Sequence, residues 1–274
     1  MNTSDDGRLD LQNDSASVVI DLDQGGRLTS LVAYGNELLV TRSNSPTPDD
    51  PISWGAYPMV PWAGRVDGGR FRFGDTDHQL PINLAPHAIH GTGFSARWEM
   101  IDGSTIAHRF HSPWPFAGTV TQSFALEAGH LETTMTVTAD DPMPLLIGWH
   151  PWFRRRLDTP NGPSRQAELD FGSPPMYELD ARAIPTGRLV PCPPGPWDNC
   201  FTDLDRDPRL RWPGLLTISV SSSCDHWVVF DQRSHAICIE PQSGAPDEFN
   251  RRPTVLDAGR SYTAWYRITW SPNR

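Results

Sequence analysis

Apolar and polar positions alternate with a period of two, or run β-branched, through much of the chain. This holds for Ser17 to Leu22, Leu28 to Tyr34, Glu37 to Val40, Thr119 to Leu126, Leu131 to Thr138, Leu215 to Ser221, Trp227 to Phe230 and Tyr262 to Trp270. Such segments predict strands with one or both faces buried. Tyr34-Gly35-Asn36-Glu37 and Glu127-Ala128-Gly129-His130 sit between them and predict hairpin turns, hence antiparallel pairing. Helical periodicity is nearly absent, and 27 prolines and 22 glycines are spread along all 274 residues, which cuts the chain into short pieces. The pattern predicts an all-β sandwich or barrel of the larger sort. Neither a charge-rich linker nor an internal repeat is present. Thr41 to Ser53 and Pro191 to Pro196 are expected as long loops over a sheet, and residues 1–274 as a single domain.

Composition narrows the chemistry. All 23 basic side chains are arginine, against 33 carboxylates, for a net charge of −10. Without lysine there can be no Schiff-base aldolase, pyridoxal-phosphate enzyme or Walker-type phosphate loop. The acidic balance opposes nucleic acid as a partner. The one basic run, Arg154-Arg155-Arg156, is expected on a solvated surface. Cys192, Cys200, Cys224 and Cys238 form no CxxC pair and are expected as reduced, mostly buried thiols. His87 with His90, and His108 with His111, are three apart, a spacing that does not put both rings on one face of a strand, so no metal site is expected. Mean hydropathy is −0.45, and no apolar run approaches the roughly 20 residues of a membrane-spanning helix. Met1 to Asp14 is polar and acidic, unlike a secretory signal, so a cytoplasmic protein without a membrane partner is expected.

Two segments carry candidate acid and base groups. Leu145 to Phe153 reads LLIGWHPWF, an apolar strand that brings His150 to its end among Trp149 and Trp152 and is expected to stop at Pro151. A histidine between apolar walls can serve as acid or base, or can be a core residue bonded to a carbonyl. Aromatic faces beside it suit the C–H faces of a pyranose ring. Ala236 to Gln242 reads AICIEPQ, where alternation puts Ala236, Cys238 and Glu240 on one face. Glu240 then ends a floor of small residues with room for a ligand and a carboxyl pKa raised by desolvation, or it pairs with an arginine such as Arg233. MVPWAGRVDGGRF (Met59 to Phe71), HAIHGTGF (His87 to Phe94) and WDNCFTD around Asp198 look like ligand-binding loops, their glycines letting the backbone approach a small molecule.

Taken in order, these five segments resemble the aldose 1-epimerases, or galactose mutarotases. The resemblance runs from the loop near Met59 to the segment near Asn250, and HPWF followed by EPQ is its specific part. It implies a large twisted antiparallel β-sandwich of the galactose mutarotase-like supersandwich type, with an open sugar-binding cleft. It also implies Glu240 as general base, His150 as general acid and His90 as a second histidine that holds and polarises the ring oxygen. Arg65 and Asp198 match residues that grip sugar hydroxyls. Trp62 and Trp149, next to the matched segments, are the expected stacking platforms. Many members carry asparagine directly before the arginine, whereas this chain has Gly64, which puts sugar preference in doubt.

Interconversion of anomers needs only a carboxylate and an imidazole, so no cofactor is expected and the partner is a small sugar. The oligomeric state, monomer or homodimer, is left open. Two rival readings remain. One is a hexose-6-phosphate 1-epimerase, with Arg97 and Arg70 or Arg72 clamping the phosphate. The other is a binding or sensing protein that keeps the cleft without turnover.

Overall fold

The computed structural model describes residues 7–159 and 162–273. Two large antiparallel sheets dominate. The first has eleven strands, and at its centre Ala56–Met59, Gly148–Arg154, Ala236–Gln242, His226–Phe230 and Asp198–Thr202 lie side by side. The second has eight, centred on Gly118–Glu127, His130–Ala139, Ser261–Pro272 and Leu216–Ser222. Short 3-10 turns are the only helical elements among the described residues, and none of these is long and apolar enough to cross a membrane. This is the all-β, antiparallel sandwich that the period-two pattern predicts.

Alternation is strict where one face meets solvent. In His130–Ala139 every second residue is buried, from Leu131 to Ala139. The central strands of the larger sheet follow another rule, being covered on both faces: all seven residues of Ala236–Gln242 are buried, Glu240 and Gln242 included. One face of that sheet packs on the smaller sheet. Trp149 packs on Tyr266 at 4.8 Å between ring centroids, the planes tilted by 38°, and donates its indole N–H to Gln122 Oε1 at 3.1 Å. The opposite face, on which His150 stands, is left for the cleft.

Both predicted hairpins are present: Arg27–Ala33 pairs with Asn36–Glu37, and Gly118–Glu127 with His130–Ala139. The strand expected over Glu37 to Val40 is shorter, because Leu39 leaves the first hairpin to bridge Phe153 in the sheet centre. Pro151 does not stop its strand, which continues to Arg154. Register pairs Gly148 with Gln242 and Trp152 with Cys238, with none formed between those two levels. Pro151 and Pro241 both fall in that gap, and neither has an N–H to give to a ladder.

Arg27 is wholly buried in the first sheet. Its guanidinium donates to the carbonyls of Gln24, Pro51, Trp54 and Phe94 and lies 4.2 Å from the centre of the Trp54 ring. Cation–π contact and four carbonyls take the place of a carboxylate partner. Burial still pulls its pKa down to about 10. The long loop expected over Thr41 to Ser53 is thereby tied at its far end to the loop that follows His90.

Candidate active site

The register that sets Gly148 against Gln242 and Trp152 against Cys238 puts His150 directly opposite Glu240. Opposed residues of an antiparallel pair share a face with Cβ atoms about 5 Å apart, so their side chains meet. His150 Nε2 lies 3.2 Å from Glu240 Oε1, both side chains nearly inaccessible at 6% and 2% exposure. Tyr57, opposite His150 on its other side, stacks on the imidazole at 4.9 Å. Gln242 Nε2 reaches the second carboxylate oxygen, Oε2, at 3.4 Å.

These groups form the floor of an open cavity of about 510 Å³ lined by Arg65, His90, His150, Trp152, Asp198, Glu240 and Gln242 among others. His90 projects from a loop, its ring 5.0 Å from that of His150 and nearly perpendicular to it. It holds a φ of +65°, followed by Gly91 at +79°. A Cβ on Gly91 would meet the Val60 carbonyl oxygen at 2.0 Å, so the backbone packing that fixes His90 has room only for glycine there. Across the cavity, Arg65 donates to Asp198 Oδ2 at 2.9 Å. Asp247 pins the arginine loop, its backbone N–H donating to the Arg65 carbonyl and its carboxylate accepting from the Asp67 N–H.

Electrostatics follow from burial. Desolvation raises Glu240 well above the usual carboxyl range; nearby Asp198 adds to the shift and Arg65 opposes it. Desolvation lowers His150 to about 3, aided by the Arg27 charge, and holds His90 well below the ordinary histidine value. Burial thus favours the neutral form of each member of the pair.

The sequence-predicted residues divide cleanly. Glu240, His150, His90, Arg65 and Asp198 all line the cavity. Trp62 and Trp149 do not: they are buried at 2% and 1% exposure, Trp62 against Trp114 and Trp149 between the two sheets. Neighbours in a strand point to opposite faces, so Trp149 is turned away from His150, and Trp152, two residues on, is the cleft tryptophan. Trp152 stacks on His150 at 5.3 Å with planes 11° apart. Arg233 does not pair with Glu240 but lines the cavity and lies over Phe230 at 5.6 Å. Arg97, Arg70 and Arg72 are absent from the lining, Arg97 being 78% exposed beside Asp23. They form no phosphate clamp at this cavity. Gly64 has a φ of +65°, and a Cβ there would press on Pro246 at 2.8 Å, so the proline leaves no space for the asparagine of many members.

Three of the four cysteines are buried and all four are free. Cys238, together with His150 and Glu240, places three metal-ligand atoms within 4.8 Å of one another, a cluster that sequence spacing does not signal. Its thiol is a poor fit to an ion, because burial and the neighbouring Glu240 hold it protonated. Gln242 ends the EPQ run and shares the face of Glu240 by strand alternation, but its bond to the carboxylate and the hold of Asp247 on the arginine loop are legible only once the strands are paired.

The sequence model described as Aldose 1-epimerase matches residues 7–237, so the match ends just before Glu240. The Escherichia coli K12 protein YphB, itself uncharacterized, is 26% identical over 71% of this chain and 75% of its own. Among solved structures, a candidate aldose 1-epimerase of Escherichia coli K12 superposes with a TM-score of 0.80 at 22% identity, covering 97% of this chain and 99% of that one. Galactose 1-epimerase from Lactobacillus acidophilus superposes at 0.78 with 14% identity, covering 100% and 98%. At these identities the superpositions speak for the galactose mutarotase-like fold.

Proposed function

Since this chain belongs to the aldose 1-epimerase family, we propose that it interconverts the α and β anomers of a free hexose at the His150–Glu240 pair. The observation that carries this reading is the 3.2 Å contact between imidazole and carboxylate at the floor of a sugar-sized cavity. Ring opening requires a base at the C1 hydroxyl and an acid at the ring oxygen. Those two oxygens are bonded to one carbon, so acid and base must stand side by side, as these do.

Glu240 takes the C1 hydroxyl proton while His150 delivers one to the ring oxygen, and the bond from C1 to that oxygen breaks. The open aldehyde rotates about C1–C2. Closure on the other face returns both protons with the roles reversed, so no net proton is gained or lost. The reactive distribution has the shared proton on His150, whereas burial favours it on Glu240. Arg65, which stabilises the carboxylate, and the sugar's own hydroxyls shift the balance toward the ionic form. Each group is expected to supply about 100- to 10,000-fold.

Trp152 offers an aromatic wall for the pyranose, and Arg65, Asp198 and His90 offer polar groups to its oxygens. The test is polarimetry of freshly dissolved α-D-glucose and α-D-galactose at neutral pH. Acceleration that disappears in His150→Ala and in Glu240→Ala supports the reading. Acceleration that survives in either variant removes the pair from the mechanism.

A further inference from the structure

A second cavity, of about 380 Å³, is lined by Val40, Asn44, Arg154, Arg156, Ser234 and His235. No carboxylate is among these residues, although the chain carries a charge of −10. The arginine run expected as a merely solvated surface is divided in purpose. Arg155 turns away and donates to the carbonyls of Asp231, Arg233 and Ala236. It thereby pins the turn that carries Ser234 and His235. Arg154 and Arg156 are left to face the cavity. Asp158 contacts Arg154 at 3.2 Å, whereas Arg156 has no ion-pair partner among the described residues.

The remaining polar groups keep atoms without partners. Asn44 uses its side-chain oxygen to accept from the Thr41 N–H, which leaves its amide N–H groups for a ligand. His235 Nε2 is buried without a hydrogen-bond partner. His235 also lines the sugar cleft, and its ring lies parallel to Trp152, 6.1 Å away and 8° from coplanar. The wall between the two cavities is therefore His235 and Trp152, with His150 stacked on the far side.

We propose that this second cavity is an oxyanion site, taking a phosphate group on Arg154, Arg156, Asn44, Ser234 and His235, next to the sugar cleft and separate from it. Two guanidinium groups with no carboxylate in the lining suit the geometry and charge of phosphate. The volume exceeds that of a bare phosphate, so a phosphorylated small molecule fits as well as the free ion.

The test is isothermal titration calorimetry with inorganic phosphate and with glucose 6-phosphate, at constant ionic strength set by chloride. Titrations compare the parent with R154A/R156A, Arg65→Ala and Glu240→Gln. Phosphate binding that weakens at least tenfold in R154A/R156A yet persists in Arg65→Ala and Glu240→Gln supports the site. Heat from glucose 6-phosphate alone, lost in R154A/R156A and not displaced by free glucose, supports the same arginines with a phosphorylated sugar as the ligand, whereas displacement by free glucose overturns the separation of the site from the cleft. No binding of either compound, or binding unchanged in R154A/R156A, overturns the proposal. The readout is binding rather than turnover, so its failure is distinguishable from failure of the epimerase reading. A circular dichroism melt of R154A/R156A confirms that the variant is folded.

Discussion

His150 and Glu240 stand opposite each other on neighbouring antiparallel strands, and their nearly inaccessible side chains meet at 3.2 Å.

 One proton serves both groups, so a change at either one alters the other.

Glu240→Gln keeps the size of the side chain and a polar group facing His150 but cannot take a proton. Polarimetry is expected to show a fall in kcat of about 100- to 10,000-fold. The double variant with His150→Ala is expected to lose little more than the worse single one, because the two act as a unit.

The same pair leaves a mark on stability against pH. The pKa of Glu240 is raised in the folded state, so its contribution is full below the ordinary carboxyl value and is lost as pH rises through the folded one. His150 is lowered to about 3, so its contribution is full above the ordinary histidine value near 6.5 and is lost as pH falls toward 3. Thermal melts across pH are expected to show Glu240→Gln gaining on the parent at neutral and alkaline pH. His150→Asn is expected to lose part of the parent's acid sensitivity between pH 6.5 and 3.

The two tryptophans beside His150 separate binding from folding. Trp152→Ala is expected to raise KM about tenfold, the loss of roughly 1.4 kcal/mol of sugar stacking. Trp149→Ala removes a ring held between the sheets and is expected to cost about 3–5 kcal/mol of stability. Initial-rate kinetics and denaturant melts of the two variants check this, and the reverse assignment would move the sugar to the other face.

Gly91→Ala tests how His90 is held. The added methyl would meet the Val60 carbonyl at 2.0 Å in a backbone of positive φ. A lower Tm is expected together with a loss of activity, while Gly74→Ala, also at positive φ but with open space around it, is expected to lower Tm slightly and leave activity as it is.

Much of the site is legible in the sequence because it lies on strands whose alternation can be counted. HPWF and EPQ place His150 and Glu240 on known faces, and the resemblance supplies their roles. The same counting, applied to Trp149, would have turned it away from the cleft; closeness in sequence is misleading in a strand, where adjacent residues face opposite ways. Tyr57 and Cys238 become neighbours of His150 only through pairing between distant segments, and Ala56–Met59 shows neither alternation nor β-branching to announce a central strand. Arg27 gives no signal either, since a charged residue at a strand start normally predicts an exposed edge.

Arg27 has a cost for any redesign of the cleft. Its guanidinium fastens loops that overhang the site, and its charge also helps to keep His150 unprotonated. One cation is both a mechanical anchor and part of the setting of the proton exchange. Replacing it with an apolar side chain would free the loops and retune the histidine together, so substrate range and pH response are tied to a residue that touches neither sugar nor proton.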